Sequence, residues 1–260
     1  MMEPPEDSIR VLHVTDPHLF AEAGVSLRGT VTSESFQAVL RHFEDSGWRA
    51  DLVAMTGDVI QDDSRGAYER FRDLVAPLGL PVHCVPGNHD RPALMREVLD
   101  REPFRVCAAE IYGRWLVAGV DSVVEGSPAG RVAGPELARI RAILDGTSAE
   151  HALLLVHHPP VPVGSRWLDQ VGLENGPEFL ETIAGSGKVR AVLFGHVHQA
   201  FDGAVDSIRI IGTPSTCAQF ETGSDDYAVS GRPPAYRRLA LLPDGSLDSE
   251  LVWLDDKHSR

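Results

Sequence analysis

The stretch Leu52-Val53-Ala54-Met55-Thr56-Gly57-Asp58 is an apolar run that stops abruptly at a glycine and then a carboxylate. It predicts a buried strand that carries Asp58 to the carboxyl edge of a sheet. Four other apolar runs end the same way, on residues able to bind a metal ion. Residues 9–15 lead to Asp16 and His18, 82–85 to Asn88 and His89, 151–156 to His157, and 189–194 to His196 and His198. Asp58 is therefore expected to lie between two metal ions that these residues complete.

Working outward, Phe36, Val39, Leu40 and Phe43 recur at i, i+3, i+4 and i+7, with Thr32 or Ser33 as a cap and Gly47 as a stop, which predicts an amphipathic helix. A second helix is expected from a cap near Ser64, with Tyr68, Phe71, Leu74, Val75 and Leu78 on one face. Pro92 and Pro135 fit the first turns of two more helices. A strand is expected over 115–120, then a loop rich in Pro and Gly over 158–175 before a short helix opened by Pro177. Strands alternating with helices predict an α/β fold with parallel pairing, in which ligands bind beyond the carboxyl ends of the strands. From Phe201 the helices stop. Short strands over 204–205, 208–212, 237–242 and 251–254, with Asp244-Gly245 as a hairpin signal, predict an antiparallel second sheet packed on the first, with helices outside. Residues 1–260 are expected to form a single domain, because one core is the default below about 250–300 residues.

Composition narrows the chemistry. The chain has 260 residues, and a net charge of −14, from 24 Lys and Arg against 38 Asp and Glu, would repel a polyanion such as DNA or RNA. No nucleic-acid partner is expected. Cys84, Cys107 and Cys217 are odd in number and far apart, so neither a disulfide framework nor a thiolate zinc site is indicated. Residues 1–10 lack an apolar stretch and no run approaches about 18 apolar residues. A soluble cytoplasmic protein with no membrane partner is expected.

Any one strand-end histidine is commonly structural, but five such ends on one rim are not. Imidazole nitrogen mixed with carboxylate and amide oxygen suits divalent ions, and the absence of cysteine ligands points away from structural zinc. Two ions about 3.5–4 Å apart, sharing one carboxylate, can clamp both oxygens of a displacement at phosphorus. Metal-assisted hydrolysis of a phosphate ester follows as the reaction class. Fe, Mn and Zn suit the ligand set equally.

The motifs Asp16-Pro17-His18, Gly57-Asp58, Gly87-Asn88-His89-Asp90, His157 and Gly195-His196-Val197-His198 resemble the calcineurin-like metallophosphoesterase superfamily, with all five blocks present in order. The resemblance implies a four-layer αββα sandwich, two mixed sheets flanked by helices, with the dinuclear site at the strand carboxyl ends. It places Asp16, His18, Asp58 and His198 around one metal and Asp58, Asn88, His157 and His196 around the other. A metal-bridging hydroxide would then attack phosphorus. His89, not a ligand, would contact the phosphate and assist the leaving oxygen, and Asn88 and His198 would join it in meeting the substrate. Purple acid phosphatases carry a metal-binding tyrosine where this chain has Gln61, and serine/threonine protein phosphatases carry an Asp-Arg-Gly where it has 59–63 Val-Ile-Gln-Asp-Asp. The chain is more similar to the bacterial class III 3′,5′-cyclic AMP phosphodiesterases, the CpdA group, than to those two branches. That similarity runs through residues 15–20, 56–62 and 153–159 and, outside the metal blocks, 167–170 and 213–220. It implies cyclic AMP as a small-molecule substrate, opened to 5′-AMP. Other small phosphodiesters, such as 2′,3′-cyclic nucleotides or glycerophosphodiesters, keep the same site, and a non-catalytic scaffold would be expected to have lost ligands.

The remaining polar and aromatic residues have duller readings. His158 follows His157 directly and is expected on the opposite face. Asp62 and Asp63 are either acceptors orienting a site imidazole or solvated turn residues. Trp167 reads as a core anchor for its loop, with stacking on a purine as the alternative. Residues 213–216 either line the pocket or form a plain turn. His13, His42, His83, His151 and His258 match no motif and are expected to be structural or exposed.

Overall fold

The computed structural model describes residue 5 and residues 7–254; His258 lies outside the described residues. The first apolar run forms β1 (Ile9–Val14), and a short ribbon, β2 (Ser26–Leu27) with β3 (Thr30–Val31), leads into α1 (Thr32–Asp45). Phe36, Val39, Leu40 and Phe43 are all buried, as the periodicity requires. The cap differs from expectation. Extended Val31 precedes the helix and Thr32 and Ser33 lie inside it, because the Ser33 hydroxyl donates instead to the carbonyl of Ala23. The decisive run becomes β4 (Leu52–Met55), and α2 (Arg65–Val75) starts at Ser64, whose Oγ accepts from Ala67 N at 3.1 Å. There follow β5 (Val82–Cys84), α3 (Pro92–Leu99), β6 (Phe104–Val106), β7 (Ala109–Tyr112), β8 (Trp115–Gly119), α4 (Gly134–Gly146) and β9 (His151–Leu155). The loop after β9 holds one turn of helix, α5 (Arg166–Asp169), before α6 (Gly176–Ala184) and β10 (Val189–Phe194). The carboxyl-terminal part comprises β11 (Phe201–Val205), β12 (Ile208–Gly212), β13 (Gln219–Phe220), β14 (Val229–Ser230), β15 (Ala235–Leu241) and β16 (Leu247–Trp253).

Two six-stranded mixed sheets result, ordered β16-β15-β1-β4-β5-β6 and β11-β12-β10-β9-β8-β7. The assignment of the carboxyl-terminal strands to a separate antiparallel sheet is corrected here. The second sheet is built on parallel β8, β9, β10 and β12, while β15 returns to pair antiparallel with β1 in the first sheet. The reason is visible in β1, which pairs with β4 on one side and would otherwise expose an apolar edge.

Alternate residues along the central strands serve two cores, which produces the layers. Val11, Leu52, Ala54, Leu153, Leu155 and Leu193 pack between the sheets. Leu12, Val53 and Met55 face α1 and α2, whereas Leu154, Val192 and Phe194 face α4 and α6. The crossovers point β1, β4, β5, β9 and β10 the same way within each sheet, so their carboxyl ends share one rim.

His13 fastens the sheets together just below that rim. Its buried ring sits between the hydroxyls of Thr56, 2.8 Å from Nε2, and Thr213, 2.7 Å from Nδ1. Burial, reinforced by the Arg237 charge, pushes its pKa down to about 3 from 6.5. In the unfolded chain it gains a proton below about pH 6.5; in the fold it stays neutral until about 3. Its contribution to stability is therefore complete above 6.5 and drains away as the pH falls toward 3. Urea midpoints measured across that interval should decline, and His13→Gln should lower the midpoint at neutral pH while flattening the decline. An equal acid slope in the variant would place the acid sensitivity elsewhere.

Candidate metal centre

Each turn at the rim is locked to its neighbour by backbone hydrogen bonds. Asp16 N donates to Gly57 O at 3.1 Å, His18 N to Asp58 O at 3.0 Å, and Gly195 N to His157 O at 3.1 Å. Among the described residues nine non-glycine residues have positive φ, and Asp16, His18, Asp58, His196 and His198 are five of them. A left-handed residue costs about 1–2 kcal/mol. That strain therefore collects at one place, as it does at functional sites. Gly57, at φ +96°, is required on two counts, since an added Cβ would also lie 2.5 Å from His157 Nδ1.

The sequence-derived residues converge. Around one carboxylate oxygen, Asp58 Oδ2 lies 3.7 Å from His18 Nε2, which is 3.1 Å from His198 Nε2, itself 3.3 Å from Asp16 Oδ1. Around the other, Asp58 Oδ1 lies 3.5 Å from His157 Nε2. Asn88 Oδ1 is 3.1 Å from that nitrogen and 2.9 Å from His196 Nδ1. Bonds of about 2.0–2.2 Å to a common ion separate ligand atoms by roughly 3.0–3.6 Å, so each set has the spacing of a coordination shell. Asp58 is the residue that presents one oxygen to each.

The imidazoles are also oriented for such a role. His157 Nδ1 donates to the carbonyl of Thr56 at 2.7 Å and His198 Nδ1 to that of Ala218 at 2.6 Å, which turns each Nε2 lone pair inward. His18 Nδ1 and His196 Nε2, on the far sides of their rings, are buried with no hydrogen-bond partner among the described residues. Burial drives His18 and His196 down to about 3, so both are neutral and able to ligate. Burial alone would raise the Asp58 carboxyl, but His157 and then His18 hold it well below the usual range. In return, and against its own burial, Asp58 lifts His157 to about 9. That shared proton is what a cation would displace.

His89 lies beside the first set, with a ring nitrogen within 4.8 Å of ligand atoms of His18 and Asp58. Its backbone N donates to Asp58 Oδ1 at 2.9 Å, its ring meets His18 edge-on at 5.1 Å, and its Nδ1 lies 3.2 Å from Gln61 Nε2. It is partly exposed and lines a cavity of about 180 Å³ together with His18, Asp58, Asn88, His196 and His198. A larger cavity of about 770 Å³, lined by Pro159, Pro162, Leu180 and Ile208, includes none of these residues.

Several residues have roles the sequence did not reveal. Asp90 is buried beneath the site and accepts from the amides of Gly87 at 2.8 Å, Val59 at 3.2 Å and Ile60 at 3.3 Å, and from the Tyr68 hydroxyl at 3.0 Å. It fixes the Asp58 turn against the Asn88 turn, and its place two residues after Asn88 was the available signal. Gln61, not Asp62 or Asp63, holds the site imidazole. Asp62 accepts from Ala21 N at 2.8 Å and Asp63 pairs with Arg91 at 2.6 Å. His158 is not turned away. Its ring lies 4.8 Å from that of His196, and its Nδ1 is 2.8 Å from Ser122 Oγ. The chain leaves the strand pattern after β9, so period-two alternation no longer applies there. Residues 213–216 brace rather than line the site, with Ser215 Oγ donating to Asp16 O at 2.7 Å.

Two sets of buried nitrogen and oxygen atoms sharing a carboxylate, at the rim of an αββα sandwich, define a metallophosphoesterase. The chain matches the calcineurin-like phosphoesterase family over residues 9–200 and belongs to it. It is 36% identical over 249 residues to a 3′,5′-cyclic adenosine monophosphate phosphodiesterase CpdA of Pseudomonas aeruginosa, covering 96% of this chain and 91% of that one. It is 36% identical over 252 residues to CpdA of Escherichia coli strain K12, covering 96% and 92%. A dimetal phosphatase from Danio rerio shares the fold, with a TM-score of 0.62 at 15% identity over 89% of this chain and 95% of that one.

Proposed function

We propose that this protein is a metal-dependent phosphodiesterase that hydrolyses 3′,5′-cyclic AMP to 5′-AMP, as a single domain in the cytoplasm. The observation that carries the reading is the match over nearly the whole of both chains to cyclic AMP phosphodiesterases, in a chain that keeps both sets around Asp58. Asp16, His18, Asp58 and His198 would hold one divalent ion, and Asp58, Asn88, His157 and His196 the other. Bound there, the ions, whether Fe, Mn or Zn, supply an acidified water and offset the phosphoryl charge. The chain's own residues do the rest. Asn88 turns its carbonyl oxygen toward His157 and His196, which leaves its amide nitrogen to donate to a phosphoryl oxygen. His89 supplies a proton to the departing 3′ oxygen, and its ring is held in place by Gln61, whose Nε2 lies 3.2 Å from Nδ1.

The test is kcat/KM for metal-loaded protein on 3′,5′-cyclic AMP, 3′,5′-cyclic GMP, 2′,3′-cyclic AMP and an aryl phosphodiester. The 3′,5′-cyclic AMP value should exceed those for 2′,3′-cyclic AMP and the aryl ester by about 100-fold or more, the discrimination that fixed polar contacts support. Comparable values across the panel would replace this reading with a general phosphodiesterase, and no cleavage of any member would leave a scaffold.

A further inference from the structure

The cavity at the metal centre has an outer wall that the chemistry above does not use. Phe220 lies parallel to the ligand candidate His198, with ring centroids 4.5 Å apart at 23°. Trp167 and Tyr227 meet Phe220 edge-on at 5.0 and 5.5 Å and each other at 5.4 Å. The Arg28 guanidinium covers Phe220 at 4.9 Å and Tyr227 at 5.8 Å, and its Nε donates to the Tyr227 hydroxyl at 2.6 Å. All four residues line the same cavity as His89 and Asn88. Tyr227 keeps 54% of its surface exposed, an uncommon state for a large aromatic beside a buried one.

The backbone under Arg28 points the same way. Arg28 and Gly29, at φ +52° and +85°, form the two-residue turn between β2 and β3. Such a turn favours Asn, Asp or Gly at its first position. An arginine held there in a left-handed conformation brings a cationic plane to the tip of one ribbon, where it meets Tyr227 in the loop between β13 and β14. The two ribbon tips meet through an exposed hydrogen bond and the contacts of the Arg28 guanidinium with the Tyr227 and Phe220 rings, none of which is part of a sheet ladder. The cavity beneath is about 180 Å³, below the roughly 300–1,000 Å³ usual for a small-molecule site.

We infer that Arg28, Trp167, Phe220 and Tyr227 form the nucleobase subsite, in which a purine slides between the Arg28 guanidinium and the aromatic rings and stacks on both. The inference rests on the cyclic-nucleotide reading above. In a nucleotide a single ribose separates phosphate from base, and here a single ring, Phe220, separates His198 from Arg28. Arginine stacks on flat π systems, and aromatic side chains accept any base face, so the slot selects by stacking area. It favours purines over pyrimidines and does not choose between adenine and guanine.

Tyr227→Ala and Arg28→Ala, both at exposed positions, test this on the metal-loaded protein. KM for 3′,5′-cyclic AMP should rise about 5- to 150-fold, the range of one lost stacking partner, with kcat nearly unchanged. Calorimetric affinity for 5′-AMP should fall in parallel, metal content should stay at the wild-type value, and the rate on methyl p-nitrophenyl phosphate, which carries no base, should not move. Tyr227→Phe keeps the ring and should keep the affinity. Equal losses on both diesters, loss of metal, or unchanged KM and 5′-AMP affinity would each overturn the subsite. A wild-type protein that cleaves the methyl aryl ester but not cyclic AMP would overturn the cyclic-nucleotide reading itself, and the subsite with it.

Discussion

Asp58→Ala is expected to cost both metal sites at once and to remove phosphodiester cleavage, whereas loss of any one imidazole should weaken one site. The grounds are electrostatic as well as geometric. Of the seven candidate ligands only Asp16 and Asp58 carry negative charge, so two dications face two carboxylates, and the variant halves that compensation. Even side chains that merely orient a ligand alter metal affinity about 10–100-fold. A carboxylate that offers Oδ2 to one set and Oδ1 to the other should exceed that for each ion. Asp58→Ala also deprives His89 N of its acceptor and His157 of the charge that lifts its pKa to about 9. Metal per chain by plasma spectrometry, kcat/KM on cyclic AMP and far-ultraviolet circular dichroism read the three consequences separately. A folded variant with wild-type metal content and rate would end the bridging role. His196→Ala is the comparison, expected to retain one ion, since His196 Nδ1 faces only the Asn88 and His157 side.

What the sequence disclosed follows from what is local. A run such as 52–58 carries its own stop, and a strand buried on both faces must be apolar throughout, so the five strand ends were legible from composition and order alone. Tyr68 and Phe71 fell on the buried face of α2 because helical periodicity is a property of neighbours. Pairing is not local. Nothing in 235–241 says that β15 joins β1 rather than the second sheet, because antiparallel partners share no sequence code beyond alternation. The same limit hid two members of the outer wall, although stacking on a purine stood as the alternative for Trp167. Arg28 and Tyr227 lie 199 positions apart, and neither belongs to a metal motif. Asp90 was hidden for a different reason: its partners are backbone amides of residues 59, 60 and 87, which any side chain could accompany. Thr32 and Ser33 misled because a hydroxyl near a helix start can serve a loop as well as a cap.

His89→Ala should leave both ions in place and lower kcat on cyclic AMP by about 10²–10⁴-fold, the usual worth of a positioned proton donor. Metal retention is expected because each set keeps its full complement of ligands without the ring, which stands within 4.8 Å of ligand atoms of His18 and Asp58, and because the hydrogen bond to Asp58 Oδ1 is made by the backbone, which alanine keeps. The leaving group separates the possible roles of the imidazole. A ribose 3′ oxygen leaves as a strongly basic alkoxide and needs a proton, whereas p-nitrophenolate leaves without one. A donor to the leaving oxygen therefore predicts a large loss on cyclic AMP and a small loss on a p-nitrophenyl diester. A residue that neutralises the phosphoryl oxygens predicts comparable losses on both. Gln61→Ala should show a weaker form of the same selectivity, because it frees the His89 ring held 3.2 Å from its amide without removing the donor. Equal losses on the two diesters would move His89 to the phosphoryl oxygens, and depleted metal in the variant would make it a ligand.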